Sequence, residues 1–300
     1  MVELITTSAA LAQGLTYSDI ARLVASGAWL KVLRGVYAPA GALPLPALRR
    51  RAALMRAGGD GWLCGVSALA EWGMVVGDPL VTHIAVTRTG ALRGEPGRLV
   101  VHRRKVRAAW VERDGVRLER FDAAVVSAFV ATRDDRDRQE LLCRAVRERR
   151  TTVSRLRAAA GARGRFPGSR RFTAILGLVE IGCRSPIEID YYLGVELAFS
   201  LPAGDRQKPM RRRRGGRLGS AYGDVLYRDL HILIELDGSD DHCDGNRRSD
   251  LRRDLDLAAL GILTIRLTGR QVREEAAFTA ARLLEIFADR RLLLGLTVAA

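Results

Sequence analysis

The stretch that most constrains this chain is Ile232-Leu233-Ile234-Glu235-Leu236-Asp237-Gly238, an apolar run that ends in two acids and a glycine. A short apolar run bounded by turn residues reads as a buried strand. Alternate strand residues share a face, so Glu235 and Asp237 emerge on the same side. A second acid-bearing run, Ala221-Tyr222-Gly223-Asp224-Val225-Leu226-Tyr227, reads as another strand. If the two are adjacent and antiparallel, Asp224 comes close to Glu235 and Asp237. Packed carboxylates repel one another, and keeping them charged is costly unless a cation neutralises them. A hard divalent ion such as Mg2+ (or Mn2+) prefers carboxylate, water and phosphate oxygens. Such an ion orients water and stabilises charge developing on a phosphodiester. His242 follows closely and is a candidate to take or give a proton.

The elements around these strands fall in a definite order. Ser185-Pro186-Ile187-Glu188 opens a helix that is expected to run to about Ala198. Ser at the N-cap, Pro at the first position and Glu at the third form a capping box. Glu188 is therefore weighed evenly between capping and catalysis. Residues 246–260 read as a charged amphipathic helix, and Ile262–Arg266 as a buried strand, giving α–β–β–α–β with an extra strand expected near Gln207–Met210. Asp250 and Asp254, flanked by Arg252 and Arg253, are expected to form salt bridges within their own helix. The basic run Arg211–Arg214 offers Arg211 and Arg212 as phosphate contacts.

The first residues read as a small winged helix. Thr7–Gln13 is a short helix stopped by Gly14, and Thr16 or Ser18 caps a second helix that runs to about Ser26. Trp29–Leu33 and Val36–Ala38 then form a hairpin around Arg34-Gly35. The polar positions Arg22, Lys31 and Arg34 are the candidate DNA contacts. Proline and glycine between Pro39 and Pro46 mark a linker. The middle of the chain is mixed: strands near Val81–Thr87, Arg98–His102 and Gly115–Glu119, and helices over Val66–Trp72, Phe121–Thr132, Asp135–Arg149 and Thr151–Ala160. Asp122 is a candidate cap for the Phe121 helix. His83 and His102 stand apart from other catalytic residue types in the sequence and are read as structural. GARGRFPG at 161–168 reads as a boundary.

Charge adds a partner class. The chain has 49 basic and 34 acidic residues, a formal net charge of +15, and all but three of the basic residues are Arg. The excess lies entirely in residues 1–184, an electrostatic footprint suited to a polyanion. No apolar stretch reaches the roughly 18 residues of a membrane span. The first residues carry neither a basic n-region nor a long apolar segment, so no signal peptide is expected. Cys64, Cys143, Cys183 and Cys243 lie far apart with no CxxC pair, which argues against a zinc site or a disulfide scaffold and for a reduced cytoplasmic setting.

From Ser185 to about Glu275 the chain resembles the PD-(D/E)XK nuclease superfamily, and within it the very-short-patch-repair-like endonuclease domains. The matching text is SPIE at 185–188, GDV at 223–225, IELDG at 234–238, His242, Asp250, RRD at 252–254, and a G-x-L-x-x-R-L-T-x-x-Q-V pattern from Gly261 to Val272. The resemblance implies a restriction-endonuclease-like αβ core with Asp224 and Glu235 as metal ligands and Asp237, His242 and Glu188 in support. Where the superfamily has a lysine two residues after the second acid, this chain has Asp237. That departure leaves the general base open. Residues 4–41, followed by GVSALAEWGM and VTHIAVT, resemble the winged-helix and middle regions of AbiEi-type abortive-infection antitoxins, which implies DNA binding.

The expected fold is α+β (mixed α/β): a winged helix over 1–45, a mixed antitoxin-like module over 46–165 and a nuclease-like domain over 166–300. The expected activity is Mg2+-dependent hydrolysis of duplex DNA in phage defence or DNA repair. The alternative is a non-catalytic regulator or antitoxin with a cognate toxin.

Overall fold

The computed structural model describes residues 4–41, 44–87, 92–104, 110–206, 209–214, 217–238 and 247–296, and for 209–214, 217–222 and 247–251 the backbone alone. The fold is α+β, as expected from the sequence. The chain forms two compact units, one of Met1–Leu141 with Glu148–Phe172, the other of Leu142–Arg147 with Thr173–Ala300.

The first unit begins with β1 (Ile5–Thr6), α1 (Thr7–Ala12), α2 (Tyr17–Ala25), β2 (Trp29–Leu33) and β3 (Val36–Pro39). β3 pairs antiparallel with both β1 and β2, so the first strand ties the hairpin to the helix pair. Thr16 and Asp19 form a full capping box at the start of α2, with the Asp19 amide donating to Thr16 Oγ1 and the Thr16 amide to Asp19. α3 (Leu45–Ala57) follows, starting earlier than the linker reading allowed because Pro46 sits within its first turn, where its missing N–H costs nothing. Then come β4 (Gly61–Leu63), α4 (Gly65–Glu71), β5 (Thr82–Thr87), β6 (Leu99–Arg104), β7 (Trp110–Arg113) and β8 (Val116–Glu119). They form a sheet of order β6-β5-β4-β8-β7. α5 (Phe121–Ala131), α6 (Asp135–Arg147) and α7 (Val153–Arg163) follow.

The second unit continues from α8 (Ser169–Glu180) into α9 (Pro186–Tyr191), which does not run on as one regular helix. It widens into a π turn over Tyr192–Leu197. β9 (Asp205–Arg206) precedes a separate hairpin of β10 (Pro209–Arg214) and β11 (Arg217–Tyr222). The extra strand expected near Gln207–Met210 corresponds to β10 in its described part. β12 (Val225–Tyr227), β13 (Ile232–Asp237), α10 (Arg247–Ala258), β14 (Leu263–Thr268), α11 (Gly269–Arg273) and α12 (Ala276–Leu293) complete it. The sheet order is β14-β13-β12-β9, with β13 and β14 parallel and the other pairs antiparallel. α10 makes the crossover that a parallel pair requires.

Strand alternation gives this sheet two different faces. Val225, Tyr227, Ile232 and Ile234 pack with Tyr191, Val195 and Phe287 from α9, the π turn and α12. Leu226 and Leu233 pack on the other side against Leu257 of α10. By the same alternation Asp224, Glu235, Asp237 and Arg266 belong to the α10 face.

Candidate functional site

Asp224 lies just before β12 rather than inside it. The ladder pairs Val225 with Ile234, so one step further on Asp224 stands opposite Glu235. Where the backbone ladder of β12 stops, the Asp224 side chain continues it: Oδ2 accepts from the Leu236 amide at 2.7 Å. Gly223 is required here, because a Cβ at that position would sit 2.2 Å from Leu233 Cδ1 in the core.

Two arginines complete the cluster. Arg253 of α10 grips Glu235 with both terminal nitrogens, at 2.6 Å to Oε1 and 3.4 Å to Oε2. Arg266 is the β14 register partner of Glu235, and it is bound by Asp254 at 3.0 Å. These two salt bridges of α10 therefore run from helix to sheet. The expectation of pairing within α10 is corrected for Asp254: α10 turns its inner face to a sheet that already carries charge. Asp250 has no described side chain.

Burial dominates the electrostatics. It pushes the Glu235 carboxyl up to about 7, against the opposing pull of Arg253, with Asp224 adding to the rise. Burial also raises Asp224, against the Leu236 hydrogen bond and the two arginines, and Asp237 adds to the rise. The carboxyls thus remain short of positive charge even with Arg253 in place. Their donors are hard oxygens, and one oxygen of Asp224 carries no hydrogen bond among the described residues. That chemistry fits a divalent cation shared by Asp224 and Glu235. Among the described residues, no group of three His, Cys, Asp or Glu is placed to hold a metal ion.

The other candidates are distributed as follows. Asp237 is half-buried at the end of β13, on the face of Glu235. His242 lies outside the described residues. Glu188 is buried and caps α9: it accepts from the Arg184 amide at 3.0 Å and the Ser185 hydroxyl at 2.9 Å. α9 packs on the sheet face opposite the Asp224–Glu235 pair. Arg22 is exposed on α2 and bound to Asp19. Lys31 and Arg34 are exposed at the hairpin, and the Arg34 amide donates to the Glu95 carboxylate. Glu95 also binds Arg56. Arg211 and Arg212 lie on β10, and their side chains are outside the description.

The sequence reading missed Arg253 as a member of the site, whereas Arg266, at the exit of its strand, reads as a group to contact phosphate or pair with an acid, and it pairs with Asp254. For Arg253 the RRD triplet was the available signal. It also treated His83 and His102 as isolated. They meet on one sheet face because β5 and β6 pair in parallel: Nδ1 of His83 stands 3.1 Å from Nε2 of His102, with the rings stacked. Burial pushes His83 down and His102 down to about 4, with His83, Arg104 and Arg163 adding to the latter. Beside them Glu119 accepts from the Gly65 amide and from Ser127, and Arg104 and Arg163 both donate to Ser127. Burial raises the Glu119 carboxyl and holds the Cys64 thiol well above its ordinary value, so Cys64 is no nucleophile at neutral pH. Cys64, Cys143 and Cys183 are buried thiols, none of them in a disulfide among the described residues.

No family model matches the chain, and no curated protein matches it. No helix among the described residues is long and apolar enough to cross a membrane.

Proposed function

We propose that this chain is a DNA-binding protein whose second unit hydrolyses phosphodiester bonds with Mg2+ or Mn2+ held by Asp224 and Glu235. The observation that carries the reading is the facing of these two carboxylates on one sheet face, with their carboxyls pushed up by burial. Perturbed acids facing one another, with a positive counter-group beside them, mark a functional site. When bound, the ion supplies Lewis-acid stabilisation of the phosphate and an activated water.

The chain's own residues do the rest. Asp224 is aimed by the Leu236 amide, and Arg253 holds Glu235 in place. Arg253 and Arg266 supply the positive charge that draws a phosphate toward the pair. Asp237 lies at the end of β13 on the same face, as a supporting carboxylate. The helix pair and hairpin of the first unit, with Arg22, Lys31 and Arg34 outward, support duplex binding through phosphate contacts. The reading places the protein in the reduced cytoplasm, in phage defence or DNA repair by analogy alone.

Two observations favour a second reading. Arg253 occupies both oxygens of Glu235, and Asp237 stands where the superfamily that the chain resembles has a lysine. On this reading the protein is a regulator or antitoxin with a cognate toxin. Plasmid nicking in Mg2+ and Mn2+ separates the two. Metal-dependent nicking by wild type, lost in Asp224→Ala and Glu235→Ala, is expected. Salt-sensitive DNA binding without nicking by wild type establishes the second reading.

A further inference from the structure

A cleft of about 440 Å³ opens in the first unit, whereas the carboxylate pair belongs to the second. It is lined by Trp72, Phe121, Arg120, Arg150, Arg155 and Asp122, with Val111 at its edge. Its size falls within the range of small-molecule sites, roughly 300–1,000 Å³. Its lining combines three arginines, one carboxylate and two aromatic residues. This composition is unlike an ordinary solvated patch, because the arginines are held in two different ways.

Two of them are structural. Arg155 donates to Asp122 Oδ2 from Nε at 3.1 Å and from Nη2 at 2.8 Å, and Thr151 donates to the other oxygen. Asp122 thereby ties the start of α5 to the start of α7. It does not cap α5 as the sequence suggested, and the first turn of α5 has no side-chain cap. Arg150 lies over the Phe121 ring at 5.2 Å, donates to the Trp72 carbonyl, and stands 3.9 Å from Glu148. Trp72 is fixed by its indole N–H on the Glu119 carbonyl at 2.9 Å. Arg120 differs. It is exposed at the rim, and among the described residues its guanidinium has no hydrogen-bond or ion-pair partner.

We propose that this cleft binds a nucleoside phosphate, either a free nucleotide or the phosphorylated end of a single strand. Arg120 takes the phosphate with its planar fork, and the half-buried Trp72, which has Arg113 over its ring, together with the Arg150 guanidinium that covers the buried Phe121, gives the base a plane to stack on. Arginine forks match phosphate geometry, and aromatic and guanidinium planes stack on bases without reading sequence. The compensated Asp122 leaves the cleft positive overall, which suits an anionic ligand.

The test is calorimetric titration of the full chain with deoxyadenosine 5′-monophosphate, deoxyadenosine, inorganic phosphate, and a short oligothymidylate with and without a 5′-phosphate. The nucleotide is expected to bind more tightly than either deoxyadenosine or phosphate. Arg120→Gln is expected to weaken it by roughly ten-fold or more, since a charge-assisted contact is lost. Arg120→Lys is expected to fall between, and Arg282→Gln, on α12 of the other unit, to match wild type. Tighter binding of the phosphorylated oligonucleotide than of the mononucleotide assigns the ligand to a strand end, and the reverse to a free nucleotide. Equal binding of phosphate and nucleotide overturns the proposal, as does no binding at all. Nucleotide binding that is unchanged in both Arg120→Gln and Trp72→Leu, with thermal melts showing both variants folded, also overturns it. None of these results depends on nicking activity, so failure of the nuclease reading leaves them interpretable.

Discussion

Replacing Arg206 by Met tests how the second unit holds its edge strand. Arg206 of β9 and Glu196 of the π turn form an ion pair at 2.7 Å with both side chains only 4% exposed. Glu196 also accepts from the Tyr227 hydroxyl at 3.1 Å, which is itself within 2.9 Å of the Tyr191 hydroxyl, and Arg206 lies over the Tyr192 ring. Without Arg206 the Glu196 carboxylate is buried beside two tyrosines and no cation. Breaking such a pair from one side costs about 3–5 kcal/mol, whereas replacing both partners by apolar groups is often neutral. Against a stability of roughly 5–15 kcal/mol for a domain, the single change is severe. With a urea slope of roughly 2 kcal/mol/M it lowers the midpoint by about 1.5–2.5 M. The chain supplies its own control. All four tryptophans, Trp29, Trp62, Trp72 and Trp110, lie in the first unit. Tryptophan fluorescence therefore follows that unit, while far-UV circular dichroism follows both. Arg206→Met is expected to shift the dichroism transition and leave the fluorescence transition in place. Glu196→Leu combined with Arg206→Met is expected to recover at least half the loss. A single-variant cost below about 1 kcal/mol, or a double variant as poor as the sum of the singles, refutes the reasoning.

Three more outcomes are expected. His102 has its pKa held at about 4 in the folded chain against an ordinary value of 6.5, so the folded state binds fewer protons; the stability this brings is complete above about pH 6.5 and lost as pH falls toward 4. Fluorescence-monitored unfolding should show about 1–2 kcal/mol less stability at pH 5 than at pH 7, and His102→Gln should flatten that dependence. Gly223→Ala puts a methyl into Leu233 and should cost about 1–3 kcal/mol in urea unfolding while reducing metal binding, because Asp224 is displaced with it. Thr16→Ala removes the cap of α2 and should cost about 1 kcal/mol, read in the fluorescence transition, and weaken DNA binding.

Element order in the second unit was legible because apolar runs, caps and glycines carry it locally. The strand β13 and the cap at Ser185–Glu188 follow from residues within a few positions of one another. What escaped the sequence depends on tertiary placement. The grip of Arg253 on Glu235 rests on which face α10 turns to the sheet, and its two neighbouring charges read equally well as a solvated helix pair. Asp224 reads as a strand residue because its neighbours are apolar, yet the ladder stops one residue later and the side chain takes over. The meeting of His83 and His102 comes from a parallel pairing that no local pattern announces. β4 and β7, three and four residues long, are too short for periodicity to mark. The widening of α9 at Tyr192 goes with the burial of Glu196 against Arg206, a partner ten residues on.

The most direct test of the carboxylate pair is a Mn2+ titration followed by the electron paramagnetic resonance of the free ion, on wild type and on Asp224→Ala, Glu235→Ala and Arg253→Met. One site per chain is expected, lost in both alanine variants and tighter in Arg253→Met, because removing the guanidinium leaves Glu235 free to bind the ion. Mn2+ binding that persists unchanged in Asp224→Ala and Glu235→Ala, or that Arg253→Met weakens, contradicts the account.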